Sequence, residues 1–398
     1  MDGPDSSIRH VVGVMTGTSI DGIDAALVRI AGRGLAMRAT LLRHISAPLD
    51  SPAQPTLQDR LRAAASQQPM AAGGLARLAW DFGIAHADTI ERLTRLSGEP
   101  GNLSLICVHG QTIFHQPPIS WQLVNPAPIA ARFACPIVSD MRQADLAHGG
   151  QGAPITPLAD WILFRDERNR RAIVNLGGFC NVTILPAERA GTSSCRAAPD
   201  VAEIEGFDVC ACNQLLDAMA RDVLHKPFDE DGATAARGRA QPQATVALRE
   251  VLERQRQGRR SLGTGDEGLH WIDKHRTSLA PDDLLASAVH AVAQTIGAAL
   301  NTHHIHDVVV AGGGARNRAL RMTLSQVMSD EHSVRVCPSD DFGVPLEARE
   351  ATCFAVLGAL CQDGVPITLP QVTGCRTPAP ISGTWTNAHR SQNHETGS

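Results

Sequence analysis

Apolar runs broken by glycine-bearing turns recur along this chain, and their spacing predicts strands alternating with helices. Residues 10–15 form an apolar, β-branched run. The turn Thr16-Gly17-Thr18-Ser19 follows, and a second alternating run returns over 23–30. The same order recurs later: Arg171–Leu176 is apolar, Gly177-Gly178 makes the turn, and 180–185 is the return strand. Each half of the chain therefore opens on a strand, a glycine-containing turn and a strand coming back, which predicts two hairpins. Turn N–H groups from two such tips can converge on one anion. Leu105–Val108 and Asp307–Ala311 read as further short strands, the second followed by Gly312-Gly313-Gly314 and a helical run from Ala315. Apolar residues at helical spacing predict a long helix over 282–302, a more charged helix is expected over 244–259, and 187–203 reads as a surface loop.

Strands interleaved with helices argue an α/β protein. At 398 residues the chain suits two domains of ordinary size, and 43% hydrophobic with 19% charged residues supports a substantial core. The net charge of −5 forms no basic face, which argues against nucleic acid as a partner. Phosphate binding in such a chain must rely on backbone N–H groups and a metal rather than on bulk charge. The ten cysteines are scattered, with no C-x-x-C pair, and read as buried free thiols of a reducing compartment. The polar N-terminus lacks a signal core, and no stretch approaches the ~20 apolar residues of a membrane span. A cytoplasmic location without membrane contact is the expectation. Residues 1–7 and about 385–398 read as disordered tails.

Three segments carry candidate chemistry. In Gly17-Thr18-Ser19-Ile20-Asp21-Gly22-Ile23-Asp24, small and hydroxylated residues let the backbone approach a phosphate. Asp21 and Asp24 are placed to orient a magnesium-bound water, since Mg2+ is usually held by few carboxylates plus waters and phosphate oxygens. An ordinary hairpin with Asp and Gly as turn formers fits the same residues. In the second segment, Arg142 precedes the flexible strip Gly149-Gly150-Gln151-Gly152, which suits a carboxylate-bearing ligand or, equally, a loop with a surface ion pair. His109-Gly110-Gln111-Thr112 follows a strand, where α/β proteins bind ligands. In the third, Gly206-Phe207-Asp208 reads as a loop just past the second hairpin, with Asp208 a general base or a solvated turn residue. Glu350 opens an apolar helix, and its carboxylate also suits the helix dipole. The Gly312-Gly313-Gly314 turn places N–H groups and a helix start beside a ligand, or serves close helix–strand packing.

In order along the chain these segments resemble the anhydro-N-acetylmuramic acid kinase family. Gly17 to Asp24 is similar to its G-T-S-x-D-G-x-D, and His109 to Thr112 to its H-G-Q-T. Asp140-x-Arg142-x-x-Asp145 with Gly149-Gly150-Gln151-Gly152-Ala153-Pro154 resembles D-x-R-x-x-D…G-G-Q-G-A-P. Asn175-x-Gly177-Gly178-x-x-Asn181, Gly206-Phe207-Asp208, Asp229-x-Asp231-Gly232, Gly312 to Asn317 and Glu350-Ala351 follow in family order. The resemblance implies a two-domain hexokinase/actin-like fold of ribonuclease H-like repeats with ATP in the interdomain cleft. Domain I would hold 8–160 and about 350–383, and domain II 161–349. It further implies hydrolysis of the 1,6-anhydro bridge with ATP-dependent phosphorylation of the 6-hydroxyl, in cell-wall recycling, with Mg2+ and a homodimeric state. Asp208 would be the catalytic base. Gly17 to Asp24, Gly177, Gly178, Gly312, Gly313 and Gly314 would bind ATP, with Asp21 reaching the metal through water. Arg142 would bind the lactyl carboxylate, and Glu350, His109, Gln111, Gly150 and Gln151 would line the sugar site.

The chain departs from the family pattern at three places. Cys210-Ala211-Cys212 replaces G-P-G after the aspartate, which removes two residues free to take positive φ. Ser261-Leu262-Gly263-Thr264-Gly265 lacks the family's arginine, and Val124 replaces a glycine in Gln122-Leu123-Val124-Asn125-Pro126. Two other readings stay open on these grounds: a kinase of the same fold acting on another sugar, and a regulatory relative that binds ATP without transferring phosphate.

Overall fold

The computed structural model describes residues 8–17, 19–98, 102–188, 201–257, 262, 268–332, 334–379 and 381–387. Its strands are β1 (Arg9–Met15), β2 (Ile23–Ala31), β3 (Arg38–Ala47), β4 (Leu105–Val108), β5 (Gln111–Gln116), β6 (Ile119–Leu123), β7 (Ile137–Ser139), β8 (Arg171–Leu176), β9 (Phe179–Leu185), β10 (Glu205–Ala211), β11 (Asp307–Ala311), β12 (Arg335–Pro338) and β13 (Thr384–Thr386). The chain divides into two compact units, Met1–Ile162 with Glu350–Ser398, and Leu163–Arg349.

The first unit carries a six-stranded sheet in the order β13-β7-β4-β1-β2-β3. β1, β2 and β3 form an antiparallel meander, and β4 and β7 run parallel to β1. β1 is covered on both faces, which is why its sequence is a continuous apolar run rather than an alternation. Val12 and Val14 join the cluster around Phe82, Ile90 and Leu93 of the helix Ala72–Ser97. Gly13, on the opposite face, meets the helix Arg349–Gln362 so closely that a Cβ would stand 2.0 Å from the Ala351 carbonyl oxygen. Gly358 of that helix does the same over β4, its notional Cβ falling 2.8 Å from Cys107 Cβ. A bidentate ion pair then fastens the end of the helix to the start of β1: Arg9 Nη1 and Nη2 lie 2.8 and 2.9 Å from the Asp363 carboxylate oxygens.

The second unit repeats the plan with five strands in the order β10-β9-β8-β11-β12. β8, β9 and β10 make the antiparallel meander, and β11 and β12 run parallel to β8. With the separate β5-β6 hairpin set aside, both sheets place their third, second, first, fourth and fifth strands side by side. This doubled ribonuclease H-like sheet is the two-domain fold of the hexokinase–actin class. The strand starts of the second sheet are tied by charge: Arg171 bonds Asp307 at 3.2 Å and Asp166 at 2.8 Å, and Arg335 reaches Asp307 at 3.2 Å. That network occupies the amino ends of the parallel strands, away from their carboxyl ends, where Asn175 and the Gly312 to Gly314 turn lie.

Several sequence expectations need correction. Trp385 and Thr386, assigned to a disordered tail, form β13, in which Trp385 pairs with Val138. A three-residue polar edge strand has too short an alternation to register as periodic. The helix expected from Ala315 starts at Arg318, after a 3-10 turn over Gly313–Arg316. Asn317 sets that start, its Oδ1 accepting the Leu320 N–H at 3.0 Å. The stretch Pro281–His303 is long and apolar enough to cross a membrane by length and composition, but 78% of its most apolar window is buried, so it is the core helix of the second unit. Within the 187–203 loop, Val201–Glu203 is a 3-10 turn, and 189–200 lies outside the described residues. The nine described cysteines are buried free thiols.

The contact at Gly13 yields a stability test. Gly13→Ala is expected to lower the free energy of unfolding by more than about 3 kcal/mol, because strand and helix backbones must separate. Gly73→Ala, which meets nothing within 4 Å, should leave it unchanged or slightly raised. Urea unfolding midpoints of the two variants check this.

Candidate active site

In the first unit, the β1–β2 turn is built around a strained residue. Ile20 has φ 51°, a left-handed conformation that costs a β-branched residue of order 1–2 kcal/mol. It is held there because its side chain is buried in the core, its N–H donates to Gly17 O at 3.1 Å and its carbonyl accepts Gln58 Nε2 at 2.7 Å. A trans peptide points its C=O and N–H in opposite directions, so the Asp21 N–H faces away from Gln58. Asp21 itself is exposed at the tip. Gly22 is wedged beside Ala47, and the Ile23 side chain is fully buried core. Asp24 lies on β2 with its carboxylate 3.3 Å from His44 Nε2. Thr18 lies outside the described residues.

The carboxyl ends of β1, β4 and β7 bring the other first-unit candidates together. Gly110, at φ 78°, turns the chain from β4 into β5. The buried His109 ring has Nδ1 2.8 Å from Gly110 O and Nε2 3.1 Å from Arg142 Nε. An arginine Nε–H only donates, so Nε2 is the acceptor and Nδ1 carries the proton. Burial, reinforced by the Arg142 charge, pushes the His109 pKa down to about 3, and the ring stays neutral. Arg142 Nη1 donates to Gly152 O at 2.5 Å.

The glycine-rich strip, expected to be flexible, is instead wound around one buried carboxylate. Asp145 Oδ2 accepts the Gly152 N–H at 2.7 Å, Oδ1 accepts Thr373 Oγ1 at 2.7 Å, and the Asp145 carbonyl accepts the Gly150 N–H at 2.9 Å. A Cβ on Gly150 would fall 2.1 Å from Oδ2. Gln151 is exposed, with its N–H on Thr373 O at 2.8 Å. Glu350 sits half-buried in the first turn of its helix.

The same end of the sheet carries buried polar atoms without protein partners: Gln111 Oε1, Gln122 Oε1, His115 Nε2, Asp140 Oδ1 and Thr16 Oγ1. Such atoms are nearly always paired in folded proteins, with protein or with water, which makes these five candidates for polar contacts from outside the chain. Ser120 Oγ joins Gln122 Nε2 at 2.8 Å to His115 Nδ1 at 2.9 Å.

In the second unit, Asp208 belongs to β10 rather than to a loop. The meander fixes a cross-strand row: Ala311 pairs with Asn175, Asn175 with Asn181, and Asn181 with Asp208. Directly opposed residues share a face, so the two asparagines and the aspartate line one side of the sheet. A bulge follows at Val209, so Cys210 pairs with Cys180. The Leu262 N–H donates to Asp208 Oδ2 at 2.8 Å. The remainder of 261–265 lies outside the described residues.

None of the three residues at the replaced glycines takes a positive φ: Cys210 and Ala211 are strand residues, whereas Cys212, at φ −129° and ψ −100°, lies outside the helical and extended regions, a conformation a glycine takes more easily. All three are fully buried. The N–H groups of Cys212, Asn213 and Gln214 donate to the carbonyls of Gly177 and Gly178 at 2.9 to 3.1 Å. The Gly177 carbonyl thus points at the helix Asn213–Val223, and the Gly178 N–H points away from it.

The Gly312 to Gly314 turn packs against this row. A Cβ on Gly312, at φ 84°, would lie 2.6 Å from Asn175 Oδ1, and one on Gly314 would lie 2.5 Å from Asn213 Oδ1. Gly313 meets nothing within 4 Å. Two of the three glycines are thus demanded by packing, and the third is open. Gly232 closes on Asn317 in the same way, and Asp229 caps the next helix through the N–H groups of Thr234 and Ala235.

Sequence reasoning did not single out Asn175, Asn181, Gln122, His115 or Asp145 as site residues. Asn175 and Asn181 carried a usable signal, two amides flanking a Gly-Gly turn, two residues before it and three after it. The Ser120/Gln122 alternation along β6 was a second.

The model of the family described as anhydro-N-acetylmuramic acid kinase matches residues 9–386. A curated anhydro-N-acetylmuramic acid kinase of Salinibacter ruber is 33% identical over 94% of this chain and 96% of its own length. One of Bordetella avium is 35% identical over 95% and 96%. Among solved structures, component A of the (R)-2-hydroxyglutaryl-CoA dehydratase of Acidaminococcus fermentans aligns over 88% of this chain and 98% of its own, at TM-score 0.43 and 14% identity. With a family model spanning nearly its whole length and relatives this similar, the chain belongs to the anhydro-N-acetylmuramic acid kinase family.

Proposed function

We propose that this chain opens the 1,6-anhydro bridge of anhydro-N-acetylmuramic acid and phosphorylates the freed 6-oxygen from ATP, giving N-acetylmuramic acid 6-phosphate in cytoplasmic cell-wall recycling. The observation that carries the reading is the row Asn175–Asn181–Asp208, which holds one carboxylate among amides at the strand ends, next to a glycine turn with one open position.

In this reading Asp208 takes a proton from a water attacking the anomeric carbon. The new C1–O bond forms as the C1–O6 bond breaks, and the electron pair stays on O6. That oxygen attacks the γ-phosphorus in line, the bond to the β-phosphate oxygen breaks, and ADP leaves; the proton on Asp208 returns to solvent. The Leu262 N–H fixes the rotation of the carboxylate, so the base has a set direction. The outward N–H groups of Asp21 and Gly178 are donors for phosphate oxygens. Arg142 pairs with the lactyl carboxylate, and the unpartnered Gln111 and Gln122 oxygens accept sugar hydroxyl or amide protons.

Among the described residues no three His, Cys, Asp or Glu side chains form a metal cluster. One exposed carboxylate, Asp21, nevertheless fits magnesium, which keeps most of its waters and takes the rest of its ligands from phosphate. When bound, the ion would neutralise charge on the phosphates.

Purified protein given ATP, Mg2+ and anhydro-N-acetylmuramic acid should form sugar phosphate and ADP in equal amounts. Asp208→Asn should lower kcat by about a hundredfold to ten-thousandfold while the protein stays folded. Turnover of other amino sugars but not the anhydro sugar, or full activity in Asp208→Asn, would contradict the proposal. The glycine turn gives a second test. Gly313→Ala should keep its melting temperature and raise the KM for ATP several-fold, whereas Gly314→Ala should cost about 2 kcal/mol or more of stability through its clash with Asn213.

A further inference from the structure

His109 was assigned to the sugar site by resemblance, but its ring has no nitrogen left for a sugar. Nδ1–H is spent on the Gly110 carbonyl at 2.8 Å and Nε2 on Arg142 Nε at 3.1 Å. The ring is 4% exposed as a residue and is clamped by Phe354, with centroids 4.8 Å apart. Gly110, at φ 78°, presents its carbonyl to the ring that precedes it.

The consequence falls on Arg142. A guanidinium is a rigid plane whose N–H directions are fixed relative to one another. Two of its edges are anchored here, Nε on the imidazole and Nη1 on the Gly152 carbonyl at 2.5 Å. Gly152 is itself held by the buried Asp145 carboxylate at 2.7 Å. Two anchors on one rigid plane determine where its remaining N–H groups point. The choice of imidazole as the anchor also matters electrostatically. The Asp140 carboxylate already acts on this guanidinium; a second carboxylate in place of the imidazole would weaken its pull on a ligand anion further, whereas an uncharged acceptor takes none of the charge. His86 and His115 also face His109, and like Arg142 they disfavour a proton on it.

We propose that His109 is a positioning residue: its imidazole holds the Arg142 guanidinium in the plane that receives the carboxylate of the sugar, and it touches no substrate atom. This rests on the reading that Arg142 binds that carboxylate. It separates His109 from Gln111, two residues on, whose buried side-chain oxygen has no protein partner.

Substitutions that mimic one ring nitrogen at a time test it. Gln carries an amide oxygen to about the reach of Nε2 and keeps the acceptor for Arg142. Asn reaches only to about Nδ1 and keeps the Gly110 contact alone. Steady-state kinetics on anhydro-N-acetylmuramic acid should show KM raised about tenfold in His109→Asn and His109→Phe with kcat within about threefold, as befits one lost hydrogen bond to a charged donor. His109→Gln should stay within about threefold of the parent in both. In Arg142→Ala, adding His109→Asn should change KM no further, because the residue to be positioned is gone. Additive effects of His109→Asn and Arg142→Ala, a fall in kcat at constant KM, or Gln no better than Asn would overturn the proposal. Failure of the underlying reading shows separately, as Arg142→Ala alone leaving KM unchanged. Melting temperatures of all variants accompany the kinetics, and a variant that fails to fold leaves the Gln-against-Asn comparison to decide.

Discussion

Backbone register across the β8-β9-β10 meander is the constraint on which the chemistry proposed for the second unit depends. The β9–β10 ladder sets Asp208 opposite Asn181, and the β8–β9 ladder sets Asn181 opposite Asn175. A slip of one residue would turn the carboxylate to the other face of the sheet. The position is therefore locked by many ladder bonds and by the buried side chains beneath them, not by a single contact. The bulge at Val209 lets the strand turn directly into the helix Asn213–Val223, whose first N–H groups seize the Gly177 and Gly178 carbonyls. Hairpin tip, strand end and helix start form one hydrogen-bonded corner, and the Gly312 to Gly314 turn is packed onto it.

The first unit solves a different problem with the same sheet. In the proposed function it offers a cation and several polar atoms to the sugar, and the loops that carry them are held in place. Asp145 does this from the inside, gathering Gly150, Gly152 and Thr373 around one buried carboxylate. Arg142 and His109 then stand on that frame. The strained Ile20 at the β1–β2 tip is the complementary case, a residue kept in an unfavourable conformation by its core contacts and by Gln58. Strain of this kind persists where the surrounding fold over-determines it, and it gathers at functional turns.

Much of the fold was legible because β1 and β8 are buried on both faces and read as largely apolar, β-branched stretches followed closely by glycine. The repeat of that pattern disclosed two like units. β10 was not legible, because its motif begins Gly-Phe-Asp and its later residues, Val209 to Cys212, look like any small buried cluster. β13 was too short and polar. The ordered motifs located the candidate site, but they could not divide the labour within it. Gly150 and Gly314 are packing necessities, whereas Gly313 is open, and only coordinates separate the two. Nor could the sequence say which backbone conformations fall on the lost glycines, since tertiary pairing makes Cys210 an extended strand residue and leaves Cys212 at φ −129°, ψ −100° at the start of the helix.

The central claim is that a fixed carboxylate activates water at the anomeric carbon instead of attacking that carbon itself. The two routes differ in stereochemistry. The 1,6-bridge occupies the β face of the sugar, so direct attack by water must come from the α face. Proton NMR of the sugar phosphate in the first minutes of turnover, before mutarotation, reads the outcome. The account predicts that the α-anomer appears first and relaxes toward the equilibrium mixture. A first-formed β-anomer would mean that a covalent sugar–enzyme intermediate intervenes, and the role assigned to Asp208 would be wrong.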